Sequence, residues 1–304
     1  MLLRSPSRAN MSAARGVLRD AEMAVGGISR RKDQLPVPLT QACPGKEQTL
    51  KVGGRKLKYW LIERRGRQVA PDCVDIARQY SAIMRGARQN FDELTASPAL
   101  CHAADMPPGD LLFMDTETCG LAGAMIFLVG VMFWRRGQLI FHQYLARDYA
   151  EEAAILATFA ERYAGCGVLV TFNGKSFDMT MIRDRCAFHG VKLPEVECPH
   201  LDLLHESRRR WKKQLPNCRL QTLEKHLCGR YRTGDIPGSD IPQAYHDFVR
   251  TEDAVRVKAI CHHNLVDLLT LAELLCALLT SCEPVVDDLD RGQRGSLGQS
   301  RDPF

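Results

Sequence analysis

The sequence predicts an α/β protein, a mixed sheet flanked by helices, on three observations. Short apolar runs of buried-strand type recur at residues 111–114, 126–134, 138–146 and 168–172. Amphipathic helical spacing interrupts them at 150–163 and takes over beyond 201, ending in the apolar stretch 255–279. The chain has 304 residues, 45% of them hydrophobic, enough for a substantial core. Three strands, a helix, a strand and then helices is an order that packs helices against a mixed sheet.

Residues 1–46, rich in Gly, Pro and basic side chains without periodicity, are expected to be a disordered leader. Its Arg- and Ser-rich start lacks the apolar core of a secretory signal, which leaves an organellar leader or a second start at Met11 as alternatives. The run TLKVGGRKLKYWLIE reads as two β-like segments turning at Gly53-Gly54. Beyond Pro71, the positions of Val74, Ala77, Tyr80, Ile83 and Met84 predict a helix. Residues 47–107 therefore form an accessory region, either a small module or a wrap around the main domain. That domain is assigned to 108–282. Its helices are expected at 150–163, from about Phe177, at 201–211, 220–227 and 244–249, and over 255–279. The polar segment 283–304 reads as a disordered tail in which Asp287, Asp288 and Asp290 are solvated.

A formal charge of +5, from 41 basic and 36 acidic residues, is compatible with an anionic partner without requiring one. The 12 cysteines contain no CxxC pair and sit mostly in apolar stretches. They predict free thiols in a reducing cytoplasm rather than disulfides or zinc. No stretch is read as approaching the roughly 18 apolar residues of a membrane span, so no membrane partner is expected.

Four carboxylates interrupt apolar runs: Asp115 and Glu117 in LLFMDTETCGL, Asp178 in TFNGKSFD, and Asp267 in HHNLVDLLTL. Burying even a neutral polar group without a partner costs about 2–7 kcal/mol, so these acids need a counter-charge. Hard divalent cations supply it. Asp115 and Glu117 are two apart on a strand and share one face of the sheet, although strand-end punctuation explains the same residues. Asp178 follows strand 168–172 at a helix start, where favourable interaction with the helix dipole is the alternative. The adjacent Gly-Lys-Ser is no P-loop, since the first glycine of that motif falls on Leu169. Asp267 lies in the most apolar helix. At about 100° per residue, His263 projects about 40° from it and His262 about 140°. A later helix start would let His262 reach the same place.

The combination of DxE at a strand end, NxxxFD after a later strand and His before a final Asp resembles the DEDD superfamily of 3′–5′ exonucleases. FMDTETCGLAG, FLVGV, TFNGKSFD, HLDLLHESRRRW, CRLQTLE, DIPG and HHNLVDLLTL together resemble the bacterial YprB-like ribonuclease H-like family over about residues 110–280. The resemblance implies a mixed five-stranded sheet and two divalent ions, Mg²⁺ or Mn²⁺. Asp115 would bridge both ions, Glu117 and Asp267 would complete one site, and Asp178 would hold the second. His263, or His262, would be the general base. The implied activity is 3′–5′ exonucleolytic hydrolysis of single-stranded nucleic acid. An endonuclease on the same fold, or a catalytically weak nucleic-acid-binding module, is the alternative.

Candidate substrate contacts are Asn173, Lys175, Arg209 and Trp211. Arg208, Arg209, Arg210, Lys212 and Lys213 around Trp211 suit a strand with a base stacked on the indole, or else a solvated helix face anchored by Trp211 in the core. His200, Asp202 and His205 invite a zinc reading that lacks a second ligand pair, so they are read as part of a helix. Asn173 either orients substrate or caps a turn.

Overall fold

The computed structural model describes residues 35–280 apart from 53, 91–95, 122 and 197. Residues 1–34 of the expected leader 1–46, Gly53 of the hairpin turn, and the tail with its three aspartates lie outside the described residues; residues 35–46 are ordered, with a helical turn at Leu39–Ala42, Cys43 buried and Lys46 opening a strand. Seven strands, Lys46–Val52 (β1), Arg55–Arg65 (β2), Leu111–Thr118 (β3), Ile126–Arg135 (β4), Gln138–Leu145 (β5), Val168–Thr171 (β6) and His200–Asp202 (β7), form one sheet in the order β1-β2-β5-β4-β3-β6-β7. The four strands located in the sequence are β3–β6, and β7 supplies the fifth that the resemblance implies, in a segment where a helix was expected from Leu201. The count rises to seven because the hairpin of residues 46–65 pairs along β5 instead of standing apart. Pairing is antiparallel from β1 to β3 and parallel from β3 through β6 to β7.

The longer helices are Cys73–Asn90, Pro98–Asp105, Glu152–Tyr163, Asp178–His189, Leu203–Trp211, Ile241–Thr251 and Val255–Leu279, here α1 to α7. Between α5 and α6, Leu220–Leu223 is one α-turn continued by a π-turn at Glu224–Cys228. The HLDLLH segment corrects the helix expected from Leu201: His200, Leu201 and Asp202 are strand β7, and Asp202 caps the helix that begins at Leu203 by accepting from the Leu204 amide at 3.1 Å.

Strand alternation divides the core in two. Leu111 and Phe113 face a layer containing Met132, Phe141 and the α7 leucines 268, 269, 271 and 275, together with Tyr80 of α1. Leu112 and Met114 face the other layer, with Val131, Ile155, Phe159 and Ile182. Tyr80 also donates to the Pro108 carbonyl at 2.9 Å, tying α1 to the foot of β3. Helix α7 corrects the membrane expectation in one respect. By length and composition it can cross a bilayer, yet 67% of its apolar window is buried within the protein, where it serves as the central core helix.

Candidate active site

Strand β3 carries the acids out of the core at its C-terminal end. Its alternation sends Asp115 and Glu117 toward α7 and Thr116 to the opposite face. Asp178, the first residue of α4, meets β3 from that opposite face: its Oδ1 accepts from the Thr116 hydroxyl at 2.5 Å and from the Thr116 amide at 3.2 Å. The site thus straddles one strand, with carboxylates arriving from both sides.

The loop before Asp178 is held closely. Asp202, 2% exposed, accepts from the backbone amides of Asn173 at 2.8 Å and Lys175 at 3.1 Å. Asn173 takes a left-handed φ of +64°, which asparagine tolerates better than most residues. A Cβ on Gly174 would lie 2.4 Å from the Thr171 hydroxyl, so only glycine fits there. Beside this loop, Lys175, Arg209, His205 and Ser97 line a groove of about 410 Å³ along β7. The structure brings Lys175 and Arg209 together in that groove. Trp211 is a correction: its side chain is fully buried in the α7 layer, so the indole anchors the core and presents no face to a base. His200 bonds the Thr171 hydroxyl at 2.8 Å, and burial first, then Lys175, pulls its pKa down to about 4.

Helix α7 supplies the opposite wall. Asn264 Nδ2 donates to Asp115 Oδ2 at 2.8 Å, and Asn264 Oδ1 accepts from Gln143 Nε2 at 2.8 Å. On the preceding residue, His263 Nδ1 lies 2.8 Å from Asp235 Oδ2, and His263 Nε2 lies 3.4 Å from Asp267 Oδ2. His262 is exposed beside it. Arg232 joins three acids, reaching Asp267 and Glu224 at 2.5 Å each and Asp235 at 3.2 Å. Arg232, Asp235, Asn264 and Glu224 were not singled out from the sequence. Asn264 was accessible by spacing, three residues before Asp267 and so about 60° away around the helix. Asp235 and Glu224 stand in the DIPG and CRLQTLE motifs, which carried the resemblance without assigning them a role, and Arg232 sits in an aperiodic loop that carries no such signal.

Electrostatics separates these acids into two groups. Burial, then the fields of Asp267 and Asp178, push Asp115 well above the usual carboxylate range, against the pull of Asn264 and Arg232. Glu117, 8% exposed, is raised well above its range by burial and then by Asp115, Asp267 and Asp178; its carboxylate makes no hydrogen bond or ion pair with any described residue. Burial also lifts Asp178 to about 6, against the Thr116 hydrogen bonds. Asp235 behaves oppositely: burial raises it, but His263 and Arg232 outweigh burial and hold it low. For His263, burial acts downward and is overcome by the bond to Asp235 and the field of Asp267, so its pKa is raised.

A buried, unpartnered carboxylate beside a second raised one fits a hard divalent cation, the chemistry of an all-oxygen donor set. Among the described residues, no three His, Cys, Asp or Glu side chains yet enclose a common point as a ligand shell. Two of the acids are engaged elsewhere, Asp178 by Thr116 and Asp267 by Arg232.

A family model described as the RNase H superfamily matches residues 112–279, more than half of the chain. The chain belongs to the RNase H superfamily. Within it, the chain is similar to the uncharacterized protein YprB of Bacillus subtilis (strain 168), 36% identical over 169 residues. That match covers 54% of this chain and 41% of the relative, so the chain spans well under half of that protein's length. Among solved structures, the family B DNA polymerase of the hyperthermophilic archaeon Pyrobaculum calidifontis aligns with a TM-score of 0.45 at 17% identity, over 57% of this chain and 25% of the polymerase. The RNase H domain contains all four acids, both histidines, Asn264, Arg232 and Asp235.

Proposed function

We propose that the protein is a nuclease that hydrolyses phosphodiester bonds, a 3′–5′ exonuclease acting on single-stranded nucleic acid with two Mg²⁺ or Mn²⁺ ions. The observation that carries this reading is the gathering of Asp115, Glu117, Asp178 and Asp267 at one strand end of an RNase H domain, with Glu117 buried and unpartnered. Divalent ions bound there would stabilise the attacking and leaving oxygens of an in-line displacement at phosphorus. Asn264 orients the Asp115 carboxylate, and Thr116 orients that of Asp178. His263 is the preferred general base: Asp235 fixes its Nδ1, leaving Nε2 toward the acid cluster. Lys175 and Arg209 would hold strand phosphates in the neighbouring groove. A cytoplasmic location is supported by the 11 described cysteines, all of them free thiols.

One observation favours a second reading. Arg232 already neutralises Asp267, as suits a module that binds nucleic acid with little turnover.

A panel of labelled single- and double-stranded DNA and RNA, including a circular single strand, tests both readings with Mn²⁺. Stepwise shortening from free 3′ ends, abolished by Asp115→Ala, is expected. Cutting of the circle would make the enzyme an endonuclease, and binding without turnover would establish the module. A second readout needs no substrate: Mn²⁺ should raise the Tm of wild type and not of Asp115→Ala, because an ion held only by the native state stabilises it.

A further inference from the structure

Away from the acids, on the α3 side of the sheet, the ends of β2, β4 and β5 enclose a concavity of about 540 Å³. Its lining includes Arg64, Arg65, Arg135, Arg136 and His142, with Glu63 as the one carboxylate. Glu63 is shared between Lys46 at 2.7 Å and His142 at 3.4 Å. Arg64 is turned to the Pro44 and Glu63 carbonyls at 3.0 and 2.9 Å. Arg65, Arg135 and Arg136 are exposed and form no ion pair with a described carboxylate. Behind the lining, the Arg162 guanidinium stacks 3.7 Å over the ring of Phe133, which is part of it. Despite Glu63, His142 is held below its ordinary pKa, first by burial and then by Arg162, Lys46 and Arg135. Unbalanced cations thus crowd one recess.

Its position excludes a share in the acid cluster. Gly130 lies opposite Asp115 on β4, and Arg135 is five residues further along, roughly 17 Å at the rise of a strand. Phe133 and His142 belong to the sheet face away from α7, whereas Asp115 faces α7.

We propose that this recess is a second phosphate-binding site, which grips the backbone of a polynucleotide at a point remote from the acid cluster. The choice of a polynucleotide rests on the nuclease reading. Independently, the lining suits phosphate rather than base: the Phe133 face that would stack a base is already covered by Arg162. Guanidinium groups from two segments, the end of β2 and the β4–β5 turn, match charges strung along a chain, with exposed Arg135 ending β4 and Arg136 inside the turn.

The test measures binding of the full chain to a labelled single strand by fluorescence anisotropy, with chelator present so that nothing is cleaved. A short oligonucleotide, one several times longer, and a mononucleoside triphosphate are compared for wild type, Arg135→Gln/Arg136→Gln and Arg135→Lys/Arg136→Lys. The glutamine pair should bind the long strand roughly tenfold more weakly and flatten its slope of log K against log salt by about 1.4, as for two lost phosphate contacts on a single strand. Short-strand affinity should be unchanged, and the lysine pair should keep most of the long-strand affinity. Unchanged affinity and slope in the glutamine pair overturn the site. Arginine-dependent binding of the triphosphate as tight as that of the long strand overturns the polynucleotide in favour of a free nucleotide. Because turnover plays no part, absence of cleavage in the substrate panel would sink the nuclease reading alone, leaving this result to stand or fall by itself.

Discussion

Gly130 sets how closely the sheet and α7 approach at the acids. A Cβ there would stand 2.1 Å from Asn264 Oδ1, the atom that accepts from Gln143. Gly130→Ala must therefore displace Asn264, and with it the donor to Asp115. Overpacking of this kind costs about 1–3 kcal/mol, which urea denaturation would read, and the proposed nuclease activity should fall at temperatures where the variant is still folded. At this scale the four acids were legible because each stands where an apolar run makes charge costly. Their partners were not. Arg232 meets Asp267 across 35 positions, and no local pattern encodes a pairing that only the folded chain creates. Trp211 shows the converse: a tryptophan among five basic residues has the composition of a strand-binding surface, and the helix face that buries it is set by what packs behind.

Among the elements, a single buried acid ties the start of β4 to α3 and α4. Glu152, at the start of α3, accepts from the Ile126 amide at 2.8 Å and pairs with Arg185 at 2.5 Å and His189 at 2.7 Å, both on α4. Burial opposes its charge, yet these partners hold its pKa low. A depressed carboxylate contributes stability above its unfolded value, and that contribution is lost as pH falls through the lower folded value. Arg185→Ala strands the charge and should cost about 3 kcal/mol at neutral pH, with a smaller loss in acid, measured by denaturation at both pH values. The principal strands and helices were readable because each keeps one period over several residues. Strand β7 was not: three residues are too few to establish alternation, and the following helix claimed them.

For the whole molecule, Glu273 of α7 is the informative titrating group. It lies 2.7 Å from Arg230, yet burial, assisted by Asp72 and Glu224, carries it to about 7 against that arginine. A raised carboxyl favours the folded state below its unfolded value and loses that contribution as pH rises through the folded one. Tm should therefore carry a downward component between pH 4.5 and about 7, and Glu273→Gln should flatten it in a calorimetric pH series. Global arrangement was the least legible level. The sequence announces a hairpin at residues 46–65, but nothing local says that β2 will lie against β5, where Trp60 pairs with Leu145.

The bond between Asn264 and Asp115 spans 149 positions of the chain. Synthesis proceeds from the N-terminus, so β3 emerges long before the helix that completes its surroundings. Until α7 has been made, Asp115 has neither its amide donor nor Asp267 beside it. A chain interrupted before that helix would carry the first three acids without the wall that organises them.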